Sequence, residues 1–425
     1  GWLDRPQTDS SIPKLNQQGR KVTLQAARES IVLLKNQGNL LPLGKQKNIA
    51  VIGPNGFRTP VLGGGSASIP QFQDVSFLNG ISNHLGTNAN VTYARGISKY
   101  NDLANSTTFS GGVKAEFFDN LELSGTPVKT ENASNMNFGK LLEGFNFGNS
   151  PDFEAVSAGE KPASLSLFIG AKPMSARWTG NFTPKTSGEF ELFVQQAGFG
   201  ETNYRLYVDG KLVRDRWAMN IAATDPTTLS LDAKPHQIIL EFKASGGLSQ
   251  PFIRLGIVKR GSWVEPNAIE LAKKADVVIV PVGFDAVMET EHFDRTFGLP
   301  PGQVELIQRI AEVNKNVVVV INSGGGVEMT PWIDQVSGVL QAWYAGQEGG
   351  TALAEILFGA TNPSGRLPAT FERKAEDNPT FNNYYPAENS NKINYKEGVF
   401  VGYRGYEKNN VIPQFPFGFG LSYTT

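Results

Sequence analysis

Asp276-Val277-Val278-Ile279-Val280-Pro281-Val282 decides the fold class of this chain. The stretch is apolar from Val277 onward and does not alternate. A strand with one wet face alternates, so a continuous run of this kind reads as a strand buried on both faces, as in a parallel sheet covered by helices. Asn316-Val317-Val318-Val319-Val320-Ile321-Asn322 repeats the pattern. Residues 266–274 and 301–314 read as helices around these strands. A third strand is expected over 336–344, a helix opened by Gly349-Gly350 over 348–358, and a further strand over 366–371. The tail from Phe381 is loop-rich and aromatic.

The same rhythm opens the chain. Residues 22–36 carry Leu24, Ala27, Ile31 and Leu34 at helical spacing. Residues 48–53 form a short apolar strand, 74–85 a helix and 91–94 a strand. Between the two α/β stretches the pattern changes. From Gly111 to about Lys259 strand follows strand, punctuated by Gly, Pro, Asn and Ser. Phe190, Leu192 and Val194 alternate onto one face, as do Ile238, Leu240 and Phe242. Asp209-Gly210 between 204–208 and 211–213 is a two-residue hairpin signal. The expectation is an α/β/α sandwich domain, residues 1–107 and 262–425, interrupted by an all-β module, 108–261. Insertions succeed at exposed loop tips.

Composition narrows the function. The 425 residues carry Lys+Arg 39 against Asp+Glu 40, a net charge of −1, with no Lys/Arg run. This argues against a nucleic-acid partner and against an anionic membrane surface. No apolar run approaches the roughly 18 residues of a membrane span. Cysteine is absent, which excludes disulfides, thiolate metal sites and Cys nucleophiles. His84, His236 and His292 are scattered singly, so no zinc-type pair exists, and neither a metal nor a cofactor is expected. Gly1-Trp2-Leu3-Asp4-Arg5-Pro6 opens without Met or leader, as the middle of a longer polypeptide or a processed product would. The lack of cysteine suits a periplasmic or secreted setting.

Met288-Glu289-Thr290-Glu291-His292-Phe293-Asp294-Arg295 follows the deciding strand. The loop at the carboxyl end of a parallel strand is where ligands tend to bind. By composition alone it reads equally as a solvated charged loop. The Gly-rich segment Gly63-Gly64-Gly65-Ser66 lacks the strand-to-helix passage and GKS-like end of a phosphate loop. It reads as a tight structural loop or a sugar-contacting wall. Ser323-Gly324-Gly325-Gly326 lacks the frame of a nucleophile elbow and reads as a loop at the sheet's edge. Glu348 reads as an offset to a positive helix end, or as a ligand contact.

Several segments, in order, resemble the second domain of glycoside hydrolase family 3. They are Ala26-Ala27-Arg28-Glu29-Ser30-Ile31-Val32-Leu33-Leu34-Lys35-Asn36, Asn39-Leu40-Leu41-Pro42-Leu43 and Ile49-Ala50-Val51-Ile52-Gly53-Pro54-Asn55. Val339-Leu340-Gln341-Ala342-Trp343-Tyr344, Gly346-Gln347-Glu348-Gly349-Gly350, Asn362-Pro363-Ser364-Gly365-Arg366-Leu367-Pro368 and the tail from Phe415 complete the set. The inserted module resembles a PA14 domain, through Arg177-Trp178-Thr179-Gly180-Asn181-Phe182-Thr183-Pro184 and Leu206-Tyr207-Val208-Asp209-Gly210-Lys211-Leu212-Val213. The acidic pair many PA14 domains carry before the hairpin is missing from Ala197-Gly198-Phe199-Gly200-Glu201-Thr202-Asn203.

The resemblance implies a retaining exo-β-glycosidase acting on terminal β-glucosides or oligosaccharides. Its alternatives are a β-xylosidase or other exo-β-glycosidase, and a non-catalytic carbohydrate-binding fragment. It implies Glu291 as general acid/base, within the frame Glu289-Thr290-Glu291-His292-Phe293-Asp294-Arg295, with Glu289 the second candidate. Asp294 and Arg295 would orient the loop. It also implies a (β/α)8-type barrel, in cis or as a separate chain, bearing the Asp nucleophile. No Ser-Asp-Trp-type nucleophile motif occurs in this chain. Phe199 and Phe252 are candidate aromatic contacts to substrate, and a homo-oligomer is left open.

Overall fold

The structure is a computed structural model that describes residues 4, 11–44, 46–67, 69, 71–139, 172–197, 202–217, 224–246, 252–291, 294–386, 390 and 392–424. Helix α1 (Ile12–Ser30) leads into β1 (Val32–Asn36). Then come β2 (Asn48–Ile52), α2 (Phe77–Leu85), β3 (Asn90–Ala94) and α3 (Tyr100–Ser106). The helix expected over 22–36 is therefore two elements. Val32, Leu33 and Leu34 are all buried, so this run satisfies its backbone in a sheet rather than on a one-sided helix.

The later half supplies α4 (Pro266–Lys274), β14 (Val277–Gly283), α5 (Gln303–Val313), β15 (Val317–Asn322), β16 (Gly338–Gln341), α6 (Gly349–Leu357) and α7 (Tyr403–Lys408). One sheet takes strands from both ends of the chain, in the order β1-β16-β15-β14-β2-β3. All neighbours run parallel except β1, which pairs antiparallel with β16 at the edge. The strand expected over 366–371 is absent. That segment instead makes the single bridge Phe371↔Phe415, with Leu367 and Phe371 buried beneath the tail.

The unalternating strands serve two cores. Val278, Val280 and Val282 of β14, with Val317, Val319 and Ile321 of β15, face the layer of α4 and α5. Val277, Ile279, Val318 and Val320 face α1, α2 and α6. Each fully buried valine or isoleucine contributes about 1.5–3 kcal/mol, so neither face tolerates a polar residue.

The central segment folds as two antiparallel sheets. One has the order β10-β9-β12-β7-β4-β5 and the other β11-β8-β13-β6. Their strands are β4 (Ser110–Phe118), β5 (Lys129–Ala133), β6 (Asn137–Phe138), β7 (Met174–Phe182), β8 (Gly188–Ala197), β9 (Thr202–Val208), β10 (Lys211–Arg216), β11 (Thr224–Leu231), β12 (His236–Ala244) and β13 (Phe252–Lys259). Phe190, Leu192, Val194, Ile238, Leu240 and Phe242 meet Trp178 in a core of their own. Asp209 (φ 50°) and Gly210 (φ 74°) make the tight turn of the β9–β10 hairpin.

Alternation also explains the docking of this sandwich. Glu191 and Phe193 of β8 point away from its core. Phe193 packs against Tyr100 and Trp263, with ring centroids 5.4 and 5.6 Å away. The Trp263 indole donates to Glu191 at 2.7 Å. Arg254 of β13 donates to Asn101 of α3 at 2.8 Å. Burial pushes the Glu191 carboxyl above its usual range, and the Trp263 hydrogen bond only partly opposes it.

Candidate active site

Strand order reverses between β2 and β14. From β2 the chain moves outward to β3, and from β14 it moves the other way through β15 and β16. At such a switch point the loops leaving the carboxyl ends diverge and open a crevice. Here the loops are 53–67 after β2, 284–302 after β14, 323–337 after β15 and 342–348 after β16. The charged cluster lies on the second of them.

The start of that loop is fixed by backbone bonding. Phe284 donates its amide to the Asn322 carbonyl at 2.9 Å, beside Gly283. Gly283 has φ +127°, and a Cβ there would lie 2.0 Å from the Asn322 carbonyl oxygen, so only glycine fits. The Gln303 side chain accepts from the Gly283 amide at 2.7 Å and donates to its carbonyl at 2.9 Å. Asp285 is fully buried, and its carboxylate accepts from the amides of Val287 and Met288 at 2.9 and 3.0 Å.

Glu289 is a committed carboxylate. One oxygen takes the Arg295 Nε–H at 2.6 Å, and the other takes the Tyr344 hydroxyl at 2.5 Å and the Gly324 amide at 2.7 Å. Arg295 also donates to the Gly326 carbonyl at 2.9 Å and lies over the Phe284 ring at 4.4 Å. Burial, and then the charge of Glu289, push the Tyr344 phenol well above its usual range, so it stays a donor. Asp294 accepts from two hydroxyls, Tyr384 at 2.8 Å and Tyr385 at 2.7 Å. Burial and that bond raise the Tyr385 phenol, while Arg216, the last residue of β10, acts on it in the opposite sense. The sandwich therefore reaches electrostatically into the segment that grips Asp294.

Glu291 differs from all three. It is exposed, and Ser66 reaches its carboxylate with two donors. The Ser66 amide donates to Oε2 at 2.7 Å, and the Ser66 hydroxyl donates to the same oxygen. Gly64 and Gly65 bring the Ser66 loop this close. The Gly64 amide donates to the Glu289 carbonyl at 3.1 Å, and a Cβ on Gly65 would lie 2.3 Å from the Glu291 Cβ.

Glu289, Glu291, Asp294 and Arg295 thus share one loop, anchored to the three other loops of the crevice and to the Tyr384-Tyr385 segment. Phe252 begins β13 and is buried, with the Arg254 guanidinium over its ring at 5.5 Å. Phe199 and His292 lie outside the described residues. Glu348 is buried against Arg20 at 2.5 Å and Thr351 at 2.9 Å, which ties α6 to α1. Among the described residues, no three His, Asp or Glu side chains converge to hold a metal ion. Ser66, Tyr344, Tyr384 and Tyr385 are not singled out by sequence. The Gly-rich run at 63–66 is conspicuous, but its partner loop lies 225 residues further on.

The glycosyl hydrolase family 3 C-terminal domain matches residues 31–423. The chain belongs to glycosyl hydrolase family 3. A β-glucosidase of Rhizobium radiobacter is 36% identical over 95% of the chain and 48% of its own length. A probable β-glucosidase I of Aspergillus flavus is 34% identical over 100% of the chain and 49% of its own length. The chain thus spans about half the length of the curated relatives it matches. Among solved structures, a Kluyveromyces marxianus β-glucosidase in complex with glucose matches with TM-score 0.57 and 29% identity, covering 96% of the chain and 49% of that protein. A Streptomyces venezuelae β-glucosidase in complex with D-glucose matches with TM-score 0.60 and 26% identity, covering 99% and 46%.

Proposed function

We propose that this family 3 chain is the acid/base-bearing part of a retaining β-glucosidase, with Glu291 as the general acid/base. One observation carries the reading. At the switch point of the sheet, Asp285, Glu289 and Asp294 are each spent on holding the loop, while Glu291 alone is presented at the surface. A proton donor must reach its substrate, and the Glu289 oxygens are instead turned onto an arginine, a phenol and an amide.

In the proposed reaction Glu291 protonates the glycosidic oxygen as an Asp nucleophile attacks the anomeric carbon. Glu291, now a carboxylate, then takes a proton from the water that hydrolyses the glycosyl-enzyme. The nucleophile belongs to a (β/α)8-type barrel, in cis or as a separate chain, about 5–5.5 Å from Glu291 across the scissile bond. Residues 1–107 and 262–425 make the α/β domain that carries the acid. Residues 108–261 make a PA14-like insert, whose Arg216 acts electrostatically on Tyr385, the tyrosine that holds Asp294. The β-glucosidase names of the relatives, which extend beyond this chain, support glucose as the sugar.

The test is Glu291→Ala in the enzyme complete with its barrel. Turnover of an aryl glucoside with a poor leaving group should fall about 10²–10⁴-fold. A dinitrophenyl glucoside, which needs no proton to leave, should be affected less, and azide should accelerate its turnover. Equal losses on both substrates without azide response would overturn the assignment. Preference for xylosides among nitrophenyl glycosides would replace glucose by xylose. Wild-type protein that binds sugars but turns over none would favour a carbohydrate-binding role.

A further inference from the structure

The Ser66 loop comes from the first half of the chain, yet it holds the acid of the second. We propose that Ser66 is a positioning residue that selects the side-chain direction of Glu291 and sets the pH at which its proton is lost. The proposal rests on the reading of Glu291 as acid/base. Two donors from one residue converge on Glu291 Oε2, the Ser66 amide and the Ser66 hydroxyl. Both stabilise the ionised carboxylate, and the amide cannot turn away because it belongs to the short helical turn Gly65–Ala67. The hydroxyl can donate to the carboxylate or accept from the acid, so it follows Glu291 through both states of a retaining cycle.

The contact is built into the fold. Gly65 stands at φ +77°, and a side chain there would strike the Glu291 Cβ at 2.3 Å and Oε2 at 2.8 Å. Gly64 passes the 286–290 backbone so closely that a Cβ would lie 2.1 Å from the Ala286 carbonyl oxygen. The bare backbone at 64–65 is what lets Ser66 reach the acid. The other charged groups packed around this point hold bonds of their own. Glu289 is paired with Arg295 and Tyr344, Asp285 caps two amides, and Asp294 takes Tyr384 and Tyr385. Glu328 lies near Gly298, further along the loop. Ser66 is thus the group whose removal changes the bonding of Glu291 without disturbing the ion pair beneath it.

The experiment compares Ser66→Ala, Ser66→Thr and Gly65→Ala with Glu291→Ala in the enzyme complete with its barrel. It records kcat/KM against pH for a glucoside with a poor leaving group and for a dinitrophenyl glucoside. Loss of one donor to the carboxylate should move the basic limb of the Ser66→Ala profile up by about one pH unit. Turnover of the poor substrate at the optimum should fall roughly tenfold, with a smaller fall for the dinitrophenyl glucoside. Ser66→Thr, which keeps the hydroxyl, should restore the limb. Gly65→Ala should cost more than Ser66→Ala on the poor substrate, because it displaces Glu291 itself. An unmoved basic limb in Ser66→Ala, with losses equal for both substrates, would overturn the proposal while leaving Glu291 in place. Failure of azide to rescue Glu291→Ala would instead overturn the reading on which it rests.

Discussion

The parallel sheet and the inserted sandwich solve the same burial problem in opposite ways. The sheet is covered on both faces, so its polar chemistry is driven to one edge, where the strands end and four loops meet. The sandwich closes its two sheets on each other around Trp178 and spends the outer faces of β8 and β13, at Phe193, Glu191 and Arg254, on docking. A covered sheet has only its ends to offer a ligand. A sandwich can also present its strand ends, and here Arg216, at the end of β10 away from the Asp209-Gly210 turn, acts electrostatically on Tyr385, which holds Asp294 of the sheet's site.

The largest test of this contrast removes the joint. Phe193→Ala should cost about 3–5 kcal/mol, because Phe193 is fully buried among Tyr100 and Trp263. The loss should fall on the association of the two parts, leaving the Trp178 core intact. Denaturant titration should split into two transitions. A single shifted transition would show the two cores to be one cooperative unit.

A smaller effect is expected within the site. Glu289→Gln keeps the shape but withdraws the charge that Arg295 and Tyr344 face, at a cost of about 1–3 kcal/mol. Activity should fall by a similar factor on good and poor leaving groups alike, since the change moves the loop and not the proton donor. The same kinetics as Glu291→Ala, azide rescue included, would exchange the roles of the two glutamates.

The smallest effect is expected at the turn end of the β9–β10 hairpin. His236 donates toward Asp209 at 2.7 Å and sits beside Asp232. The Asp209 hydrogen bond raises the imidazole's pKa, against the opposing effect of burial. A raised folded pKa contributes stability that is fully present below the unfolded value, near 6.5, and is lost as pH rises through the folded one. His236→Gln should therefore lower Tm more at pH 5.5 than at pH 9, as calorimetry at the two values would record. Activity at a given pH should be unchanged. A Tm difference independent of pH would show the hairpin held without the ion pair.

The two apolar runs at 277–282 and 317–322 announce a doubly covered sheet because burial on both faces removes alternation, and that is a property of composition alone. Alternation at 190–194 and 238–242, with Asp209-Gly210 between strands, likewise exposes the sandwich. The charged loop is legible because it follows such a strand directly. Three things are not legible. Val32-Leu33-Leu34 fits a helix face as well as a strand, and only the free edge of β16 decides between them. Glu289 and Glu291 are chemically identical and two residues apart. Their difference comes from Arg295, Tyr344 and Gly324 around the first and the Ser66 loop beside the second. The outward turn of Phe193 is visible in the alternation, but the surface it meets is not. Sequence thus determined which segments must be buried and where a loop must emerge. Tertiary structure decided which carboxylate is locked and which is presented, because that depends on donors brought together from segments up to 225 residues apart.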